Sequence, residues 1–130
     1  MHKAIVMTLL AVLSSNAAAD WITVASGEDV TAYADPATIR KAGNMVKMWH
    51  LVDFKTTRVS SSTGKSFMST KGQSEFDCKD ERRRSIYFSW HSKNMAGGEI
   101  VVSQSTIDLW EPVPPGTLNQ SLWEYACGKM

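Results

Sequence analysis

The sequence predicts an α+β domain: antiparallel strands followed by a C-terminal helix, packed on one face of the sheet and tethered there by a disulfide. Three observations carry this. Segments of alternating apolar and polar residues, separated by turn residues, follow one another from residue 21 to residue 110. Helical spacing is sustained only after the proline-rich stretch that follows them. Two cysteines, Cys78 and Cys127, stand in a chain that opens with an export signal.

The signal comes first. His2 and Lys3 precede an apolar run from Ala4 to Leu13, and Ala17-Ala18-Ala19 offers the small residues that a signal peptidase reads, with cleavage expected before Asp20. The apolar run falls well short of the ~20 residues that cross a bilayer, which disfavours a membrane anchor. No cysteine lies near the cleavage point to take a lipid anchor, so the mature chain is expected to be periplasmic or secreted. Residues 1–19 are therefore read as signal and residues 20–130 as one domain, long enough for its own core. The whole chain has 14 basic and 13 acidic residues; without Lys3 the counts are equal, 13 and 13. A neutral domain has no overall field to gather nucleic acid or an anionic membrane.

Trp21 to Ala25 reads as a strand, Ser26-Gly27-Glu28-Asp29 as a turn, and Val30 to Ala34 as the second strand of a hairpin. Asp35-Pro36 has the form of a helix start, with Arg40, Lys41 and Gly43 as stop signals, so a short helical turn is expected there. Met45 to Thr57 is apolar on both faces and reads as a central strand. Phe67 to Cys78 places Met68, Gly72, Phe76 and Cys78 on one face. Ser69, Lys71, Gln73, Glu75 and Asp77 make the other face polar and solvated, and Gly72 marks a candidate bulge. Lys79 to Arg84 reads as a charged turn. A half-buried strand with Ile86, Phe88 and Trp90 inward follows, then strand candidates over residues 99–105 and 107–110.

Pro112, Pro114 and Pro115 end the sheet region. Thr117 and Gln120 fit a capping box, Leu118, Leu122, Trp123 and Ala126 share a helix face, and Gly128 is a stop. In an oxidising compartment the two cysteines are expected to pair. The alternative, a metal or redox pair, has neither a CxxC spacing nor further ligands to support it. A bond between Cys78 and Cys127 pins the helix to the sheet. Closing a loop of roughly 50 residues stabilises the fold by about 4 kcal/mol in the chain-entropy model.

Catalytic patterns are missing: there is no HExxH, GxSxG, Walker A or GxGxxG motif, and bonded cysteines leave no thiol nucleophile. The domain is therefore expected not to be an enzyme. His91 falls on the polar face of its strand and reads as exposed, whereas His50 interrupts an apolar face as a core histidine or a ligand. Arg82-Arg83-Arg84 is the one basic cluster, either a contact for an acidic partner or a solvated strand edge. Trp49 suits a core or interface position, and Tyr87 offers an apolar body with a polar tip for binding. Aromatics do not alternate with basic residues, which argues against nucleic acid.

The order of short segments resembles the bacterial surface-adhesin protein E-like domain family. The matching residues are Trp21, Tyr33-Ala34-Asp35-Pro36 with Ile39 and Gly43, Val46-Lys47-Met48-Trp49 with Leu51 and Asp53, Phe76-Asp77-Cys78 with Arg82, and Trp110 with Val113-Pro114-Pro115-Gly116 before Cys127. The resemblance implies a single antiparallel sheet of about six strands, with the C-terminal helix held to its concave face by the Cys78–Cys127 bond. It implies dimerisation through the other face, where Trp49 and Leu51 lie. It also implies a binding role, towards host matrix proteins or plasminogen, with haem as the alternative ligand. Of the residues, it carries over only the disulfide, and His50 with its neighbouring methionines is the sequence's own candidate for a haem. The lipid-anchored type member differs from this chain at the cleavage site.

Overall fold

The computed structural model describes residues 19–129. Nearly all of the export signal lies outside these residues.

Alternating residues fold into six strands that lie side by side in sequence order, each antiparallel to the next. They are β1 (Ile22–Ser26), β2 (Val30–Ala42), β3 (Met45–Val59), β4 (Ser66–Asp77), β5 (Arg82–His91) and β6 (Ile100–Gln104). A two-residue strand, β7 (Glu111–Pro112), pairs with the start of β5, beyond the end of β6. β3 lies between β2 and β4; the helix covers Val46 and Met48 on one of its faces, and Leu51 is fully buried on the other. The C-terminal helix α1 (Leu118–Ala126) lies across β1, β2 and β3. It buries Leu122, Trp123 and Ala126 against Ala32, Ala34, Val46, Met48 and Phe76.

The helix is fastened at one corner. The Thr117 hydroxyl accepts from the Gln120 amide at 3.2 Å, while Gln120 Oε1 accepts from Gly116 rather than from the cap residue, at 2.7 Å. Gly128, at a φ of 68°, ends the helix in the left-handed conformation. The Cys78–Cys127 disulfide joins the turn after β4 to the residue after the helix, with Cα atoms 5.6 Å apart. Beside it, Trp123 Nε1 donates to the Asp77 carbonyl at 2.8 Å.

Several local expectations give way. No helical turn forms at Asp35-Pro36; β2 continues to Ala42. Residues 36–39 instead bulge opposite the single residue Met48. Asp35 uses its capping chemistry inside the bulge: its Oδ1 accepts from the Ala37 amide at 3.2 Å. Thr38 Oγ1 donates to the Asp35 carbonyl at 2.7 Å and accepts from the Trp49 amide at 3.0 Å. The ladder donor that the bulge would orphan is thus satisfied by a side chain.

The sequence also misplaces the bulge in the second half of the sheet. Gly72 pairs regularly with His50 on one side and with Phe88 on the other. Its missing Cβ answers a close approach, since a methyl there would sit 2.7 Å from the Tyr87 carbonyl oxygen. The extra residue is Ile86 on β5: Gln73 faces Tyr87, but Ser74 faces Ser85. The three arginines belong to this strand, not to the preceding turn. Residues 107–110 form no ladder strand, although the Asp108 amide donates to the Ser85 carbonyl at 2.9 Å.

The outer face of β4 is not simply solvated. The loop after β5 folds over one end, where the buried Ser69 hydroxyl donates to the Lys93 carbonyl at 2.6 Å and accepts from the Ala96 amide at 2.9 Å. At the other end Asp77 is buried as well. His91, expected to be exposed, is only 5% exposed, and its Nε2 lies 2.8 Å from Ser89 Oγ.

Candidate functional site

The helix is short, and this shapes the site. Nine residues pack over β1–β3 and the Phe76 end of β4, and they leave a recess over the rest of β4 and β5 on that face. The register places His50, Gly72 and Phe88 in one cross-strand row, and Val52, Thr70 and Trp90 in the next. Together with Arg83 and Ser85 they line a recess of about 280 Å³, with Asn119 of the helix at its edge. Its apolar side continues into an aromatic run. Trp90 stacks on Phe67 with ring centres 4.6 Å apart, and Phe88 and Phe54 flank this pair.

The bulge at Ile86 decides which arginine enters the recess. By shifting the register it puts Arg83 and Ser85 on the helix side, with Phe88 and Trp90, and turns Arg82 and Arg84 to the opposite face. The three consecutive arginines are therefore not one patch. Arg82 Nε donates to Asp77 Oδ2 at 2.9 Å, and Arg84 Nη2 donates to Glu75 Oε1 at 2.6 Å. Both guanidinium groups lie over the Trp110 ring, at 4.8 and 4.4 Å from its centre. These two arginines clamp the segment leading to β7 onto the sheet.

Arg83 has different surroundings. Its Nη2 donates to Ser74 Oγ at 2.9 Å, and that oxygen also lies 2.8 Å from His50 Nε2. Burial, and then the Arg83 charge, hold His50 at a pKa of about 3, so the ring is neutral at physiological pH. With Arg83 donating to Ser74, the serine hydroxyl proton is free to point at His50 Nε2. The chain Arg83–Ser74–His50 then carries one charge, on the guanidinium. Burial lowers the pKa of Arg83, which Glu111 and Asp108 partly offset.

The opposite face carries the other aromatic candidates. Trp49 and Tyr87 touch with ring centres 5.6 Å apart, and Lys71 Nζ lies 5.8 Å from the Trp49 ring centre. Trp21, Asp35 and Thr38 complete a shallow hollow of about 240 Å³ beside Trp49 and Lys71. Leu51 lies on this side in the register but is fully buried, so Trp49 and Tyr87 present this face without it.

The candidate residues read from the sequence therefore fall into three places: His50 and Arg83 in the recess, Trp49 and Tyr87 on the other face, Arg82 and Arg84 in the Trp110 clamp. Trp90, which like Trp49 suits a core or interface position by sequence, lines the recess, whereas Ser74, Phe88 and Asn119 were not singled out. Alternation alone puts Ser74 beside His50's row. Bringing Arg83 and Ser85 there requires the extra residue at 86, which no residue type in β5 announces. Among the described residues no group of histidine, cysteine and carboxylate side chains could hold a metal ion. No helix among them is long and apolar enough to cross a membrane. For a haem the fit is poor as built: His50 Nε2 is engaged by Ser74, and Met48 is fully buried.

The chain matches the family described as "Surface-adhesin protein E" over residues 21–128. Its fold is similar to that of Haemophilus influenzae protein E. With one crystal form the TM-score is 0.63 at 12% identity, covering 83% of this chain and 87% of the other. With another structure of the same protein it is 0.60 at 12% identity, covering 83% of each chain. Protein E from a non-typeable strain of that species gives 0.58 at 12% identity, covering 82% and 75%. No curated protein matches the chain by sequence.

Proposed function

The chain belongs to the surface-adhesin protein E family, and on that premise we propose that it is an exported, non-enzymatic module that binds a protein partner. The observation that carries this is the family match, which runs through nearly the whole domain, from Trp21 to Gly128. The export signal in residues 1–19 supports a site of action beyond the inner membrane. The partner class is a host extracellular-matrix protein or plasminogen.

The Trp49–Tyr87 face suits this role. Two touching aromatics flanked by Lys71 give a central apolar anchor with a charged rim, the composition in which binding energy concentrates. A second copy of the chain could use the same face, which makes a homodimer a competing occupant that light scattering of the purified protein resolves. Capture experiments with the mature protein, on host matrix extract and on bacterial envelope extract, test the partner class. Enrichment of a matrix protein or plasminogen is expected, and recovery of no protein from either extract at micromolar bait would count against a binding module. Protease treatment of intact and permeabilised cells separates surface from periplasm, and cleavage on intact cells is the outcome adhesion requires.

Haem capture is the second reading, and the neutral His50 at the recess favours it. Ligation needs His50 to leave Ser74, so hemin titration of the wild type against His50→Ala is decisive. An unchanged Soret spectrum in the variant removes this reading.

A further inference from the structure

Arg83 stands apart from its two neighbours. Arg82 and Arg84 each hold a carboxylate, but among the described residues no carboxylate lies within ion-pair distance of Arg83. It is also largely withdrawn from water, and its Nε is buried with no hydrogen-bond partner. A guanidinium in such a place is costly without a counter-charge. Asp108 and Glu111 act on it only from a distance. Its one side-chain hydrogen bond among the described residues uses Nη2 and goes to a neutral hydroxyl.

The rest of the recess indicates what the counter-charge is attached to. Val52, Phe88 and Trp90 give it an apolar side, while Ser85 and Asn119 add short polar side chains to the lining that Arg83 shares. The second cation nearby, Lys71, has its ammonium over Trp49 on the opposite face. His50 adds no charge, so one positive charge serves the recess and a monoanion matches it where a dianion would not. The volume, about 280 Å³, lies just below the ~300–1,000 Å³ of pockets for drug-sized ligands, and so fits a molecule the size of one amino-acid residue.

We propose that this recess binds a small monocarboxylate bearing one apolar group, with the carboxylate on Arg83 and the apolar group against Phe88 and Trp90. A free organic acid and the C-terminal residue of a peptide share this chemistry. Tyr87 reaches this recess from the strand that lines it, but its side chain, like that of Trp49, lies on the opposite face, so the site goes beyond the partner-binding reading and stands or falls separately from it.

Nitrogen-15 chemical-shift titration of the mature protein tests it, with N-acetyl-phenylalanine as the acid and N-acetyl-phenylalaninamide as its neutral counterpart. The acid is expected to move the resonances of residues 83–90, and the amide to bind at least about tenfold more weakly. Arg83→Gln should abolish the shifts while keeping a native spectrum. Ser85→Leu, which fills the recess and keeps the arginine, should abolish them too. A short peptide ending in phenylalanine with a free carboxylate distinguishes the sources: binding equal to that of the acid admits a chain end, and binding of the acid alone assigns a free metabolite. Equal binding of acid and amide, persistence of the shifts in both variants, or no shifts at millimolar acid overturns the proposal.

Discussion

Asp77 ties the turn after β4 to β5 and to the helix. Its Oδ1 accepts from the amides of Lys79 and Asp80, its Oδ2 from Arg82, and its carbonyl from the Trp123 indole. Burial pushes its carboxyl up, but the Arg82 hydrogen bond and the two amides together outweigh that and hold it below the usual carboxylate range. A depressed folded pKa stabilises the fold above the unfolded value of about 3.9, and this is lost as pH falls through the folded value. Asp77→Asn keeps the amide contacts and loses the charged one. A cost of about 1–3 kcal/mol at neutral pH is expected in urea unfolding, and an unchanged midpoint would show that the Arg82 contact is neutral.

His50 gives a second residue-scale prediction, in a different pH window. The folded ring stays neutral until about pH 3, and Arg83 is the charge that faces it. The unfolded ring takes up a proton near pH 6.5, so the unfolded state binds more protons below that pH and stability falls with it. The loss is about 2 kcal/mol by pH 5, still growing towards pH 3. His91, lowered by burial and then by Lys71, acts in the same direction. Melting temperature measured from pH 7 to pH 4 should fall in the wild type and fall less in His50→Gln. Parallel curves would mean that His50 is protonated in the fold.

At the scale of elements, the succession of strands along the chain, the central place of β3 and the terminal helix were legible because each rests on a pattern over many residues, whereas the order of strands in the sheet came only with the structure. The misreadings have a common physical origin. Asp35-Pro36 carries real capping chemistry, but Thr38 and the Trp49 amide recruit it into a bulge, and only the neighbouring strand reveals that. His91 and Ser69 look like solvent-facing polar residues because the loop that covers Ser69, and the Ser89 that meets His91 Nε2, lie elsewhere in the sequence or are polar themselves. Gly72 was recognised as special for the wrong reason. Gly72→Ala forces a methyl to within 2.7 Å of the Tyr87 carbonyl, so about 1–3 kcal/mol should be lost. A variant as stable as the wild type would show that β5 can give way there. The disulfide was legible from compartment and count. Cys78→Ala opens a link between residues 49 apart and should cost about 4 kcal/mol under oxidising conditions. An unchanged melting temperature would leave the helix held by packing and Trp123 alone.

At the scale of the whole molecule, one short helix on a broad sheet produces two unlike surfaces. The uncovered half of the helix side gives a recess built around a single unpaired arginine, and the other side gives the Trp49–Tyr87 face with Lys71. The sequence named residues on both but could not separate them, because separating Arg83 from Arg82 and Arg84 depends on the register shift at Ile86. The central claim is that this family member works by binding a protein through the Trp49–Tyr87 face. Its most direct test is surface plasmon resonance of the mature protein over immobilised plasminogen and matrix proteins, with a Trp49→Ala/Tyr87→Ala double variant alongside. Saturable binding to at least one of them, weakened at least about tenfold in a double variant that keeps its fold, is the expected result. Binding to none of them at micromolar concentration, or equal binding by the double variant, would contradict it.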